Sequence, residues 1–425
     1  MNLLLTFGNV LPISRLLRDV SMLGFAQHFQ RITVVMKHLL SALTVALVLP
    51  ASAALACGGS FESFVADLKS EARNKGASAA ATDRFFANVA KDDAVLRADR
   101  SQGIFTRPFL DFSNRLISNN RLQNGERNGQ KWDAVFDRID RDYGVSRGVL
   151  LAFWAFETDF GAVQGDFNTV NALVTLAHDC RRPELFRPQV FAALELYQRG
   201  DLDPSRTTGA WAGEIGMVQM LPRDIIENGV DGDGDGHVTL KTSPADALTS
   251  GGKMLSSLGW RAGEPWLQEV TMPRDFNWSA TGLDKKRAAR DWARAGVAPK
   301  SGQLAAPNLP ASIVLPQGHR GPAFLAYPNF DVFFEWNQSF VYVTTAAYFA
   351  TRLEGAPRLT AGDPAPGLGR DAMKSLQKKL QSRGYSVGGI DGILGANTRA
   401  AVQAEQKRLG LPADAWPTQA LLNAL

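Results

Sequence analysis

At 425 residues the chain is longer than one ordinary globular domain, so we expect two or more folded units. Hydrophobic residues make up 45% of it and charged residues 21%, a balance that excludes a disordered chain and a protein crossing a membrane many times. The formal net charge of +4 is too small to indicate a nucleic-acid partner.

The first predicted element is an export signal. A basic start at Met36 precedes an apolar run over residues 39–49 and a stretch of small residues over 51–56, an order typical of secretory signal peptides. The run is short for a membrane span, which needs about 20 residues, so export followed by cleavage is expected. Residues 1–35 are either an unusually long leading region or the product of an upstream start codon, and the second reading is favoured.

Two cysteines, Cys57 and Cys180, predict one of two arrangements at the start of the exported chain. In an oxidising compartment they can pair as a disulfide. Alternatively, Cys57 is acylated as in outer-membrane lipoproteins, although Ala54 stands where such a processing site normally has leucine. The disulfide is favoured, and the expected location is the periplasm, with outer-membrane association only if Cys57 is lipidated.

Helical periodicity dominates the chain up to residue 352. The predicted helices are 61–95, 109–118, 132–143, 148–156, 169–178, 188–199, 244–258, 287–295 and 342–352. Between about 262 and 332, turn residues and short apolar runs such as Ala311–Leu315 predict a small region of strands.

A stretch rich in proline and glycine separates the helical part from the C-terminus. Such a stretch cannot continue a helix and indicates an exposed linker. The chain is therefore divided into an upstream segment with the signal peptide, a large mainly α domain with a small strand-containing region, a linker, and a small domain of three helices. Their bounds are 1–56, 57–355, 356–369 and 370–425.

Residues 146–161 predict a nearly all-apolar, buried helix, capped by Ser146 and stopped by Gly161. Glu157 shares one face of it with Trp154 and Phe153. Burial and the negative end of the helix dipole should both raise the pKa of this carboxyl group, as a general acid requires. The alternative is a structural glutamate that turns to water or pairs with an arginine.

Three segments carry a resemblance to a known family: FETDFG (156–161), TVNAL (169–173) and WAGEIGMVQMLP (211–222). They are similar to the catalytic helix, the following segment and a small-residue loop of the family B, membrane-bound type lytic murein transglycosylases. The resemblance covers about 61–352 and implies a lysozyme-like fold, with Glu157 as catalytic acid/base. It also implies substrate contacts at Gln219 and at Gly216 in the same loop.

Two positions depart from the family pattern. Ala210 replaces a serine, so one hydroxyl contact to the sugar is in doubt. In the late segment FEWNQS (334–339), Trp336 stands where tyrosine is common, which would keep stacking on a sugar but lose the hydrogen bond of the phenol. Asn337 remains a candidate polar contact, and ordinary packing is the alternative for both residues.

The resemblance implies cleavage of peptidoglycan glycan strands by one carboxylate, with a 1,6-anhydromuramyl product and no cofactor for the chemistry. A muramidase would normally need a second carboxylate. Asp159 faces away from Glu157 on the helix, whereas Asp166 lies in a loop and stays open. The muramidase and a non-catalytic wall-binding protein are kept as alternatives.

A run of alternating aspartates follows the loop, with the sequence DGDGDGHVTL over residues 231–240. It matches the start of a calcium-binding EF-hand loop, although position twelve is threonine rather than glutamate. A structural calcium ion is therefore expected, and a solvated acidic turn is the alternative. The expected ligands are Asp231, Asp233, Asp235, the backbone carbonyl of His237, and Asp246.

The C-terminal segment 371–425 resembles a three-helix peptidoglycan-binding module, on the strength of GIDGILGANTRAAV (389–402). The resemblance implies targeting to the cell wall. Glu405 stands where that module usually has an aromatic residue, so part of its core or groove is altered. A structural appendage is the alternative.

Overall fold

The computed structural model describes residues 59–101 and 107–425. The signal segment and Cys57 lie outside these residues. In the described ranges, no helix combines the length and the apolar character that crossing a membrane would require.

Helices form most of the domain before the linker, and the mainly α fold class is confirmed. Their bounds are α1 Phe61–Asn74, α2 Ala79–Phe85, α3 Asp93–Arg100, α4 Phe109–Leu116, α5 Asn119–Lys131, α6 Asp133–Tyr143, α7 Arg147–Thr158, α8 Thr169–His178, α9 Pro183–Arg199, α10 Pro222–Asn228, α11 Pro244–Ser257, α12 Ala289–Arg294, α13 Pro328–Trp336 and α14 Phe340–Leu353.

The single helix predicted over 61–95 is wrong, because the segment forms α1, α2 and α3. Ser78 and Asp92 begin new helices by accepting backbone N–H groups of Ala81 and Ala94 with their side chains. Side chains of this kind satisfy the unpaired donors of a helix start, so the chain can turn between short helices.

Helix α7 lies at the centre of the main core, where residues 148–158 are all buried. It packs against α14, and the rings of Phe156 and Phe349 stack with centroids 5.0 Å apart. A helix that is apolar on every side can be stable only inside the protein. This burial places Glu157, the next residue after Phe156, in the interior.

Strands occupy a small region of this domain. Residues 267–326 contain an antiparallel five-stranded sheet in the order β4-β6-β7-β3-β5, and a separate two-stranded sheet pairs β1 with β2. The strands are β1 Phe167–Asn168, β2 Thr208–Gly209, β3 Leu267–Thr271, β4 Arg287–Ala288, β5 Ala298–Pro299, β6 Pro310–Val314 and β7 Ala323–Ala326. The run predicted as a strand over 311–315 overlaps β6, whose Ala311 and Ile313 belong to a second core around Trp292 and whose Val314 belongs to the main core.

The C-terminal domain consists of α15 Arg370–Ser382, α16 Ala396–Arg408 and α17 Gln419–Ala424. Its core includes Met373, Leu376, Leu380, Val402 and Leu421. No helix or strand lies between residues 354 and 369, where the linker is predicted.

Candidate active site

Glu157 stands one residue before the end of α7, and only 6% of its surface is exposed. The helix begins differently from the prediction, since the Ser146 side chain makes no capping hydrogen bond. Instead, the Glu354 carboxylate accepts the Gly148 N–H at 2.7 Å. The helix also ends before Gly161, because Asp159 and Phe160 already adopt positive φ angles of 51° and 61°.

Two side chains from another part of the chain hydrogen-bond to the same oxygen of Glu157. The Trp336 indole donates from Nε1 to Oε1 at 3.0 Å, and the Tyr342 hydroxyl donates to Oε1 at 2.5 Å. The other oxygen, Oε2, is buried and has no hydrogen-bond partner among the described residues. Because Oε1 already accepts two hydrogen bonds, a proton on this carboxyl group is best placed on Oε2.

Burial raises the pKa of Glu157 to about 7, against the lowering effects of the Tyr342 and Trp336 hydrogen bonds. Near neutral pH the group can therefore both hold and release a proton. Burial and the neighbouring Glu157 raise the pKa of Tyr342 well above its ordinary value. The phenol thus remains a donor to the carboxyl group.

Tyr342 was not predicted as a site residue. It belonged to a predicted helix that follows the segment with Trp336 and Asn337, and this closeness in sequence was the available signal. The third residue of a helix can point to several neighbours, so sequence alone does not identify Glu157 as its partner.

The structure assigns Trp336 a different role from stacking on a sugar. The residue is 3% exposed, and its ring stacks on Phe153 with centroids 4.3 Å apart. Its indole N–H donates a hydrogen bond to Glu157. Tryptophan in place of the usual tyrosine therefore still provides a hydrogen-bond donor at this position. Asn337 is fully buried, and its Oδ1 accepts the Ser339 N–H at 2.8 Å, which gives it a structural role at the start of α14.

The loop with Gly216 and Gln219 lies against the end of α7. The Thr158 hydroxyl donates to the Met217 carbonyl at 2.6 Å. Gln219 has a φ angle of 52°, a strained conformation for this residue, and its amide donates to the Gly216 carbonyl at 2.7 Å. A side chain at Gly216 would lie 2.5 Å from Leu240, so the close packing of the loop requires glycine.

Neither aspartate considered as a second carboxylate contacts Glu157. Asp159 accepts a hydrogen bond from Arg121 Nε at 2.9 Å. Asp166 is exposed, and its charge acts on Lys241. Among the described residues, the hydrogen bonds to the Glu157 carboxyl group come from Trp336 and Tyr342, and no carboxylate shares its proton.

Three of the predicted metal ligands lie together. Carboxylate oxygens of Asp231, Asp233 and the fully buried Asp246 are within 4.8 Å of one another. Asp235 is not in this group, and its Oδ1 accepts the His237 N–H at 2.9 Å. The His237 imidazole turns to Asp201, 3.0 Å away, so it is not directed at the group.

Residues 60–351 match the transglycosylase SLT domain, and residues 369–425 match a peptidoglycan binding domain. This chain belongs to the transglycosylase SLT family. The predicted resemblance to family B lytic transglycosylases with a C-terminal peptidoglycan-binding domain is thereby confirmed.

Proteins similar to this chain include one from Escherichia coli and one from Pseudomonas aeruginosa. Membrane-bound lytic murein transglycosylase B of Escherichia coli (strain K12) is 29% identical over 157 residues, which are 37% of this chain and 43% of that protein. The match thus spans less than half of that relative. SltB3 from Pseudomonas aeruginosa, solved with NAG-anhNAM-pentapeptide, is 37% identical with a TM-score of 0.80 and covers 86% of this chain and 99% of its own.

A third relative supports the fold alone. Escherichia coli Slt35, solved in complex with calcium, has a TM-score of 0.60 at 24% identity and covers 72% of this chain and 98% of its own.

In the peptidoglycan-binding domain of this transglycosylase, Glu405 is 2% exposed and belongs to an ion cluster. It accepts two hydrogen bonds from Arg408, at 2.9 and 2.7 Å, and lies 3.6 Å from Arg383. The Arg408 hydrogen bonds lower the pKa of this carboxyl group. A charged network therefore occupies the position where an aromatic residue is usual.

The predicted disulfide cannot be followed to both of its cysteines, because Cys57 lies outside the described residues. Gly59, the described residue nearest to Cys57 in sequence, contacts the segment that carries Cys180: its carbonyl oxygen is 3.2 Å from the His178 ring nitrogen Nε2. The pairing stays a prediction.

Proposed function

We propose that this protein cleaves the β-1,4 bond between MurNAc and GlcNAc in peptidoglycan without water and leaves 1,6-anhydromuramyl ends. The observation that carries the proposal is the state of Glu157. Its pKa is about 7, its Oε1 accepts two hydrogen bonds, and its Oε2 has no partner among the described residues. SltB3, solved with NAG-anhNAM-pentapeptide and with NAG-NAM-pentapeptide, supports peptidoglycan as the substrate class.

In the first step, protonated Glu157 donates from Oε2 to the glycosidic oxygen while the bond from that oxygen to the muramyl C1 breaks. The N-acetyl oxygen of the same sugar stabilises C1 as the GlcNAc O4 leaves with the proton. Tyr342 and Trp336 stabilise the carboxylate that remains, because both donate to its Oε1. A carboxyl group that holds a proton at neutral pH and is stabilised once it has lost it can serve as both acid and base.

In the second step, the muramyl C6 hydroxyl attacks C1 and the Glu157 carboxylate accepts its proton. The enzyme is then protonated again, and no water is consumed. The hydroxyl belongs to the reacting sugar, so its proximity favours it over a water molecule. A hydrolase of this type normally uses a second carboxylate across the scissile bond, but Asp159 is paired with Arg121, and Asp166 is exposed and acts on Lys241.

Mass spectrometry of digested sacculi tests the proposal. The wild type should release muropeptides that end in 1,6-anhydromuramic acid, one water lighter than lysozyme products and without a reducing end. Glu157→Gln should release neither product, whereas Asp159→Asn and Asp166→Asn should keep the anhydro product. Predominantly reducing muramic ends from the wild type would favour the muramidase instead.

The C-terminal domain is proposed to retain the enzyme on the wall, as the match of residues 369–425 supports. The buried charge of Glu405 is paired with Arg383 and Arg408. Glu405 in place of the usual aromatic residue is therefore compatible with a folded domain that binds the wall.

A structural calcium ion is proposed for the loop with Asp231, Asp233 and Asp246. Three carboxylates this close repel one another, a cation between them would offset this repulsion, and oxygen ligands of this type suit calcium. The ion would hold the chain after the Gln219 loop and supplies no step of the reaction.

The proposed location is the periplasm, with Cys57 and Cys180 paired. The contact between Gly59 and His178 supports the pairing, because it brings the chain two residues after Cys57 next to the chain two residues before Cys180. Peptide mapping of the exported protein under non-reducing conditions tests it: a linked pair supports the disulfide, and an acylated Cys57 contradicts it.

A further inference from the structure

The C-terminal domain contacts the same segment that holds the two donors to Glu157. Arg399, in α16, places its guanidinium carbon 4.2 Å from the centroid of the Phe340 ring. Its Nη2 also donates to the Pro316 carbonyl at 3.1 Å. Phe340 is the first residue of α14 and stands two residues before Tyr342.

The two donors are linked by a short connection. Trp336 ends α13, and Phe340 begins α14 after three intervening residues. Within the connection, the Ser339 hydroxyl accepts the Tyr342 N–H at 3.4 Å. A displacement of Phe340 is therefore expected to reach both donors, because so few residues lie between them.

Cavities flank this connection on the side of the C-terminal domain. One of about 690 Å³ and another of about 210 Å³ are both lined by Gln338, Phe340 and Arg399. On its other side the Phe340 ring packs against the main core, with the Phe334 ring centroid 6.4 Å away, so the cavities leave the ring less supported on the side of the C-terminal domain. The Arg399 side chain lines both cavities and contacts the ring on this side.

Arg399 is charged when it makes this contact. Burial lowers its pKa to about 10, which still leaves it protonated near neutral pH. Its Nε is buried without a hydrogen-bond partner among the described residues, whereas the guanidinium meets the ring and the Pro316 carbonyl, and Asp414 is near enough to favour its charged form. A cation over an aromatic face is attracted by the ring, more strongly where water is excluded.

We propose that Arg399 is a positioning residue for the reaction: it holds Phe340, and through it keeps Trp336 and Tyr342 in place to donate to Glu157. The proposal rests on the function proposed above. It makes the wall-binding domain part of the catalytic unit, in addition to any retention on the wall.

Gln403 offers a matched control on the same helix and the same interface. Its amide donates to the Thr281 carbonyl at 3.0 Å and to the Trp278 carbonyl at 3.3 Å. Gln403 also lines the larger cavity, but these partners do not belong to the connection. Gln403→Ala should therefore weaken docking of the domain without removing support from Phe340.

The test compares the full-length wild type, Arg399→Ala and Gln403→Ala on a short soluble peptidoglycan fragment, for which retention on the wall has no effect. Arg399→Ala should lower kcat about tenfold with little change in KM, since small misplacements of catalytic groups reduce rates strongly. The alkaline limb of its pH profile should move to higher pH, because both displaced hydrogen bonds lower the pKa of Glu157. Gln403→Ala should stay close to wild type in both respects.

A double variant tests whether Arg399 acts through Tyr342. If it does, the loss of kcat in Arg399→Ala/Tyr342→Phe should be smaller than the product of the two single losses. If Arg399→Ala does not fold, Arg399→Lys takes its place, because it keeps the charge and loses the planar contact with the ring.

Unchanged kcat and pH profile in the Arg399 variant on the soluble fragment would overturn the proposal. An equal loss of kcat in Gln403→Ala would also overturn it, because the loss would then come from weaker docking of the C-terminal domain. If the wild type forms no anhydro product, the proposed function fails, and that result does not depend on any Arg399 variant.

Discussion

Replacing Glu157 by glutamine should remove a pH dependence of stability that the structure assigns to this residue. Burial raises the pKa of Glu157 from 4.5 to about 7. The folded state therefore keeps the proton up to about pH 7, whereas the unfolded chain releases it near pH 4.5. The stability linked to this proton is complete below pH 4.5 and is lost as the pH rises through 7.

The size of the loss follows from the change in pKa. A rise of about 2.5 in pKa at about 1.4 kcal/mol for each unit corresponds to about 3.5 kcal/mol, of which about 3 kcal/mol falls between pH 4 and pH 8.5. Glutamine does not titrate, and all other groups are shared by the two proteins. The free energy of unfolding of Glu157→Gln, relative to wild type, should therefore increase by about 3 kcal/mol between pH 4 and pH 8.5.

Urea unfolding of both proteins at the two pH values, followed by tryptophan fluorescence, measures this difference. Glu62→Gln makes the same chemical change at an exposed position of α1 and serves as the control. A difference that changes by less than about 1 kcal/mol with pH would refute the reasoning, because Glu157 would then ionise in the folded protein as it does in the unfolded chain.

Two further changes test the site and the metal loop. Tyr342→Phe removes the hydrogen bond that most lowers the pKa of Glu157, so the alkaline limb of the pH profile should move to higher pH and kcat should fall; a limb that stays in place would contradict the role of the phenol. Calcium at a hundredfold excess over Kd should increase the free energy of unfolding of the wild type by about 2.7 kcal/mol and so raise its melting temperature, and Asp231→Asn/Asp233→Asn should lose this response. Equal melting curves with calcium and with a chelator would exclude the metal.

Much of this protein could be predicted from the sequence where the signal is local. The apolar residues around Glu157 leave α7 no stable position except the interior, and the interior raises the pKa of a carboxyl group. The run over 311–315 indicated a strand for a similar reason, because short apolar runs between turn residues suit a buried sheet.

Other features depended on contacts between distant residues. Helix α5 was missed because its sequence is polar, yet it packs closely on the core: a side chain at Gly125 would lie 2.5 Å from Leu353. The hydrogen bonds of Tyr342 and Trp336 to Glu157 join residues separated by 185 and 179 positions. The sequence by itself determined that a buried acid exists at Glu157, since burial follows from composition along one helix. Only the tertiary structure decided which donors hold its Oε1 and leave Oε2 for the substrate, because that depends on how α13 and α14 pack against α7.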